Sequence, residues 1–165
     1  MTLRTAKILL VLGVALYYMI VVFNNVTDYG SNHEFLRHVM MMDSTFPGNH
    51  GLWRAINVPW AHTAFYLSII AWEFVTMILC WWGGLRMARL FHASNLEFQR
   101  AKTVAIVGLT LSLLMWFVAF LIVGGEWFLM WQSKTWNGQD HAFHMFMIVG
   151  IVLLLLVQPE TEGSL

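Results

Sequence analysis

The chain has 165 residues, of which 59% are hydrophobic and 11% are charged, and its formal net charge is zero. Soluble domains carry about 25% charged residues, so this composition excludes an ordinary soluble protein and indicates one that is embedded in membrane lipid. A net charge of zero gives no support for a nucleic-acid partner. The single cysteine, Cys80, excludes an internal disulfide.

Four apolar segments are long enough to cross a membrane, because a spanning helix needs about 20 residues. They are predicted at residues 6–23, 59–85, 102–123 and 142–157. The first lacks a cleavage pattern and is interpreted as an uncleaved signal anchor. Pro59 suits the first turn of the second helix, and Pro159 stops the fourth. The predicted fold class is all-α integral membrane: a four-transmembrane-helix bundle that forms one domain over residues 1–165.

The basic residues predict how the bundle is oriented. Of the nine lysines and arginines, six precede the first span or lie between the second and third: Arg4, Lys7, Arg86, Arg89, Arg100 and Lys102. The other three, Arg37, Arg54 and Lys134, lie in the remaining loops. Short cytoplasmic loops are enriched in Lys and Arg, so we expect both termini to be cytoplasmic and the loops 24–58 and 124–141 to lie outside.

The two outer loops are expected to form a cap. Residues 31–42 predict a short amphipathic helix, since Phe35, Val39 and Met42 recur at three- and four-residue steps. Ser31 or Asn32 is the predicted N-cap. The second outer loop is rich in tryptophan, which commonly anchors proteins in the headgroup layer.

Glu73 is the most informative single residue, because a carboxylate in the middle of an apolar span marks a functional site by default. A polar stripe accompanies it on one face of the second span, formed by His62, Tyr66, Glu73 and Thr76. No lysine or arginine lies in the core of another span, so Glu73 is expected to be neutral. It either fixes helix register by a hydrogen bond to Tyr17, Tyr18 or Ser112, or exchanges protons or meets a cation. A partner subunit that supplies the counter-charge is the third possibility.

Small residues predict which helices pack together, since they let helices approach closely in lipid. The third span presents such a face, made of Ala105, Gly108, Ser112 and Ala119. The first span presents Ala6, Gly13, Tyr17 and Asn24. We therefore expect the first three spans to form the core, with the apolar fourth span facing lipid or a partner.

Histidines are the candidate metal ligands. His141 and His144 are three residues apart, and His62 is expected at a similar depth, so the three could bind haem b or a transition metal. The sequence contains no Cys-x-x-Cys-His or His-Glu-x-x-His motif, and the primary expectation is that no cofactor is bound. His38 with Met41 and Met42 could form a soft site only if the loop folded suitably.

Several segments carry a resemblance to a known family. They are residues 25–32 (Asn-Val-Thr-Asp-Tyr-Gly-Ser-Asn), 42–47 (Met-Asp-Ser-Thr-Phe-Pro), 53–56 (Trp-Arg-Ala-Ile), 124–133 (Gly-Gly-Glu-Trp-Phe-Leu-Met-Trp-Gln-Ser) and 136–139 (Trp-Asn-Gly-Gln). Together they resemble the bacterial family of predicted small integral membrane proteins of unknown function, domain of unknown function 2165. The resemblance implies a multi-pass protein of the bacterial inner membrane with four spans. It implies no activity.

The family-like segments concentrate in the two outer loops, and the predicted functional surface is therefore the periplasmic face. Its polar and aromatic candidates are Asp28, Asp43, Trp53, Arg54, Glu126, Trp127, Trp131, Gln132, Trp136 and Asn137. No nucleophile with an adjacent base is identifiable, so enzymatic activity is not expected.

Three functions fit this pattern. The favoured hypothesis is an accessory or assembly subunit that docks on a larger inner-membrane complex through the aromatic periplasmic face and the apolar fourth helix, or that forms a homo-oligomer. The first alternative is a redox protein that binds haem or a metal through the outer histidines. The second is an oligomeric transporter of protons or small solutes that uses Glu73.

Overall fold

The structure, a computed structural model, describes residues 2–160, with side chains from Leu3 onward. All regular structure in that range is helical. The elements are α1 (Thr2–Thr27), α2 (Tyr29–Met41), α3 (Pro59–Arg89), α4 (Asn95–Ala101), α5 (Thr103–Leu114), a π-helix (Met115–Trp127) and α6 (Gln139–Val157), with short 3₁₀ turns at Leu52–Arg54 and Met130–Gln132.

Four helical stretches are long and apolar enough to cross a membrane, which confirms the predicted all-α bundle. They are Leu3–Thr27, Pro59–Arg89, Asn95–Trp127 and Gln139–Val157. The helices extend past the predicted bounds, because backbone hydrogen bonding continues into polar flanks that a search for apolar runs does not include. The last turn of α1, for example, contains Asn24 and Asn25.

The third span changes its helical type along its length. α4 and α5 are followed at Met115 by a π-helix, which continues to Trp127. Its last hydrogen bond joins the Phe128 amide to the Val123 carbonyl over 3.0 Å, five residues back. The predicted end of the third span at residue 123 is therefore wrong. π-helical segments are rare and often occur at functional sites.

α3 is the central helix and packs against both α1 and α5. The contact with α5 is close because Gly83 lies against the Ala105 backbone and Gly108 lies against Cys80, with no room for a Cβ atom at Gly83. Small residues allow such an approach in lipid. The predicted small-residue face of the third span is buried at Ala105, Gly108 and Ser112.

Two packing predictions are wrong. On α1, Gly13 is exposed, and the buried face is shifted to Val11, Ala15, Tyr18 and Asn25, because branched and aromatic side chains make the contact there. α6 is also part of the core. It packs mainly against α5 and the π-helix. Its buried residues are Ala142, Met145, Val149, Val152 and Leu156.

The segment that joins the first span to the second packs against the segment that joins the third to the fourth. Both lie at the end of the bundle opposite the termini. We call them the cap, residues 28–58 and 128–138. Val39, Met40 and Met42 form an apolar cluster with Phe128 and Met130. α2 starts two residues earlier than predicted and has no side-chain cap, so the expected capping by Ser31 or Asn32 is wrong.

Cysteine labelling tests this arrangement. Leu96 is 61% exposed at the termini end, and Lys134 is exposed on the cap. Thiol reagents that cannot cross membranes should therefore label Leu96→Cys and Lys134→Cys from opposite sides, because one span, the third, separates the two positions. The unsubstituted protein is the control, since Cys80 is buried. Labelling of both variants from one side would contradict the four-span arrangement.

Candidate functional site

A cavity of about 350 Å³ lies at the cap end, between the helices. Aromatic rings form much of its wall: Tyr17, Phe35, Tyr66, Trp116 and Phe120. Its polar lining residues are Asn24, Asn25, Asn32, Glu73 and His141. Val21, Leu36, Ile69 and Gly138 complete it. All four spans and α2 contribute, so the cavity exists only when the bundle and cap are assembled.

The polar stripe of α3 is buried along its whole length. His62, Tyr66, Glu73, Thr76 and Cys80 all lie on the face that packs into the bundle. Only Tyr66 and Glu73 reach the cavity. The His62 Nε2 donates to the Ile56 carbonyl over 2.7 Å, which ties α3 to the cap. The Thr76 hydroxyl, one turn beyond Glu73, has no hydrogen-bond partner in the described chain.

Glu73 is only 3% exposed, and its partner is a residue that the sequence analysis did not select. The Asn25 amide donates to Glu73 Oε2 over 2.5 Å. The predicted partners are wrong, because Tyr18 and Ser112 bond to each other over 2.6 Å and the Tyr17 hydroxyl is paired with His141. Tyr18 also accepts from the Trp116 indole over 2.9 Å.

Asn25 connects three helices. Its side-chain oxygen accepts from the Asn32 amide of α2 over 2.6 Å. The Tyr66 hydroxyl of α3 lies 3.3 Å from both the side-chain and the backbone oxygen of Asn25. Asn25 lies beyond the predicted first span, which is why it was missed. The available signal was its position seven residues after Tyr18, on the same helical face.

The Glu73 carboxylate has no cationic partner within residues 2–160: every ion pair there involves other acidic groups. The ring of His141 lines the same cavity, with its Nε2 3.3 Å from the Tyr17 hydroxyl. The site therefore combines one buried carboxylate, amide groups and aromatic faces. This combination can bind a small molecule, with the carboxylate as its charged anchor.

Comparison with known proteins gives a family and no activity. The model of a family described as predicted small integral membrane protein (DUF2165) matches residues 3–159. The chain belongs to this family. No curated protein and no solved structure matches it. The cavity is thus a feature of a DUF2165 protein for which the comparisons supply no substrate or partner.

The predicted metal ligands are not brought together in this DUF2165 protein. His62 and His141 make the contacts described above, and His144 is exposed. No three residues among the His, Cys, Asp and Glu of the described chain are placed to hold a metal ion. His38 does not face Met41 in a soft site either, since its Nδ1 is 2.7 Å from Asp43 Oδ2 and its ring stacks on Trp136.

The ten residues predicted for the periplasmic face lie on the cap or its rim, and none lines the cavity. Several hold the cap together. The Arg54 guanidinium lies over the rings of Trp53 and Trp127, and Gln132 accepts from the Phe46 amide over 3.1 Å. Trp131 packs edge-on against Phe46. Asn137 accepts from the Gln139 amide, while Asp28 and Glu126 are exposed.

A second buried polar cluster lies at the termini end. Lys7 donates to Glu160 Oε1 over 2.6 Å, and Lys102 pairs with the same oxygen. Both ammonium groups also donate to the Gln158 carbonyl over 2.9 Å. Burial favours a higher pKa for Glu160, but hydrogen bonds from Lys102 and Lys7 outweigh it and the pKa is lowered. From the sequence alone, these lysines are predicted only to orient the bundle in the membrane.

Proposed function

We propose that this family member binds a small molecule within the membrane, in the cavity at the cap end. The observation that carries the proposal is the exposure of Glu73 and five aromatic rings to one cavity of about 350 Å³. Ligand pockets have volumes of roughly 300–1,000 Å³ and combine apolar walls with a few polar groups. The cavity matches that description.

The energetics of Glu73 support a binding role over a purely structural one. A carboxylate in the membrane interior is unfavourable unless it is paired or functional. The amide of Asn25 reaches one carboxylate oxygen, and the described residues provide no counter-charge. An apolar side chain would fill the same place at lower cost. The presence of the Glu73 carboxylate at the cavity is explained if it binds a ligand.

The proposed location is the bacterial inner membrane, with the cap on the periplasmic side. The distribution of Lys and Arg supports this orientation, since Arg86, Arg89 and Arg100 lie at the termini end with Arg4, and cytoplasmic loops are enriched in such residues. The cavity would then be reached from the periplasm or the outer leaflet. Transport would require a further path to the termini end.

Blocking the cavity tests the proposal. We expect at least one class among single-ring amines, carboxylic acids and alcohols to raise the melting temperature of the purified protein by about 5 °C at saturation, because a ligand that binds only the folded state stabilises it. Ile69→Trp, which fills the cavity, should abolish the shift. Thermal unfolding in detergent, followed by tryptophan fluorescence, measures this.

The matched control is Ile78→Trp, on the same helix, whose side chain is 46% exposed to the surroundings of the bundle. It should respond to the ligand as the unsubstituted protein does. Absence of any stabilising class, or an equal shift in Ile69→Trp, would contradict binding in the cavity.

A second function, that of an accessory subunit, is supported by one feature of the surface. Trp53 and Trp60 are 76% and 75% exposed near the cap, and aromatic side chains are enriched at protein interfaces as well as in the headgroup layer. Purification from native membranes in mild detergent tests it. A stoichiometric partner that is lost in a Trp53→Ala, Trp60→Ala variant would support this role, and recovery of the protein alone would contradict it.

A further inference from the structure

We infer that the ligand of this cavity is an organic cation, an ammonium group carrying apolar substituents, with Glu73 as its counter-charge. The inference rests on the proposed binding function and adds the chemical class of the ligand. It is carried by the unpaired carboxylate and by the aromatic character of the surrounding wall.

Charge complementarity disfavours an anionic ligand. Glu73 is the one acidic residue that lines the cavity, and the described lining includes no lysine or arginine. An anionic ligand would meet the Glu73 carboxylate, and only the imidazole of His141 among the lining side chains could carry a positive charge to offset it. A neutral ligand would leave Glu73 with only the Asn25 amide. A cation supplies the partner that the protein lacks, which is the condition for a stable buried charge.

The aromatic rings favour an organic cation in particular. The faces of tyrosine, tryptophan and phenylalanine attract ammonium groups, and quaternary ammonium ligands are bound in aromatic cages. Tyr17, Tyr66 and Trp116, from three different helices, line the same cavity as Glu73. Apolar substituents on the ligand would contact Val21, Leu36 and Ile69.

A metal ion fits less well. Calcium takes six to eight oxygen ligands and magnesium demands octahedral geometry. The cavity offers one carboxylate, and the Asn25 side-chain oxygen is already an acceptor for Asn32. No group of three metal-ligating side chains occurs in the part of the chain that the structure describes. The volume of about 350 Å³ also exceeds the needs of a bare ion and matches a small organic molecule.

The experiment compares three probes that share one ring and differ in charge: benzyltrimethylammonium, benzyl alcohol and phenylacetate. Equilibrium binding to the purified full-length protein is measured in detergent, with protein-free micelles as the blank. We expect benzyltrimethylammonium to bind at least about 30-fold more tightly than the other two, and to lose that advantage in Glu73→Gln, because removing one member of a buried charge pair has effects of this size.

Two further variants test whether the charge of Glu73, and not its replacement as such, determines the preference for the cation. Glu73→Asp retains the charge and should retain the preference for the cation. Glu126→Gln removes an exposed carboxylate at the rim of the cap, outside the cavity, and should leave binding unchanged. Equal binding of all three probes, or preferential binding of phenylacetate, would overturn the assignment to a cation and leave the cavity as a binding site. Cation binding that persists undiminished in Glu73→Gln would also overturn it. The separate outcome that removes the binding function itself is the absence of any stabilising ligand for the unsubstituted protein, or an equal ligand-induced shift in Ile69→Trp.

Discussion

Glu160→Gln is expected to lower the free energy of unfolding by about 3 kcal/mol, since removing one member of a buried ion pair leaves an uncompensated charge. Here a single carboxylate neutralises two ammonium groups, and the side chains of Lys7 and Lys102 are both 0% exposed. The Gln158 carbonyl would remain as a neutral acceptor for both. Thermal or denaturant unfolding of the detergent-solubilised protein measures the loss.

Glu126→Gln is the matched control, because Glu126 is exposed and surface substitutions usually change stability by less than about 0.5 kcal/mol. A triple variant with methionine at Lys7, Lys102 and Glu160 should be more stable than Glu160→Gln, because it leaves no buried ammonium group. Arg4 loses its ion pair with Glu160 in both variants and keeps its other hydrogen bonds. If Glu160→Gln is as stable as the control, the cluster does not hold the termini end together.

The lowered pKa of Glu160 gives this cluster a pH dependence of defined sign. A group whose pKa is depressed in the folded state stabilises that state above its unfolded pKa, which is about 4.3 for glutamate. The contribution is lost as the pH falls below that value towards the folded pKa. The stability difference between the unsubstituted protein and Glu160→Gln should therefore shrink on acidification.

Asn25→Leu is expected to cost about 2–3 kcal/mol of stability, because it removes a buried hydrogen-bonding group and leaves a carboxylate and an amide without partners. The substitution deletes the donor to Glu73 and the acceptor for Asn32. It also removes one acceptor of the Tyr66 hydroxyl. We expect α2 to lose its fixed position and ligand binding to fall with it. Amide hydrogen exchange of residues 29–41 would detect the loosened helix.

Asn24→Leu provides the comparison for this variant. Asn24 is the neighbouring residue of the same type and lines the cavity, but it is exposed. Its replacement should leave the exchange of α2 unchanged. Equal exchange rates in Asn25→Leu and the unsubstituted protein would show that the Asn25 network does not position α2.

The fold follows from the sequence because lipid imposes simple rules. Apolar runs predict spans, since a helix in the bilayer must satisfy its backbone groups internally. The buried face of α3 was predictable as well, because the stripe from His62 to Cys80 recurs on one side of an otherwise apolar helix. The face of α1 was not, since the residues that pack there, Val11 and Ala15, resemble those that face lipid.

The cavity could be predicted only in part. Glu73 stood out as a carboxylate in an apolar run, but its partner Asn25 lies in a helical turn that hydropathy assigns to a loop. The contributions of Asn32 and Phe35 depend on how α2 lies against the bundle, and that is decided by contacts distant in sequence. Glu160 was missed for a similar reason: it is 153 positions from Lys7, and no local pattern links them.

Photo-crosslinking with a benzophenone that carries a trimethylammonium group tests the central claim most directly, because it reports where a cationic ligand lies. After irradiation of the purified protein and peptide mapping, we predict adducts on the cavity residues Val21, Leu36 and Ile69, suppressed by excess benzyltrimethylammonium and reduced in Glu73→Gln. Adducts confined to the outward-facing residues of α6, such as Phe143 and Leu154, and unaffected by the competitor, would contradict a ligand site in this cavity.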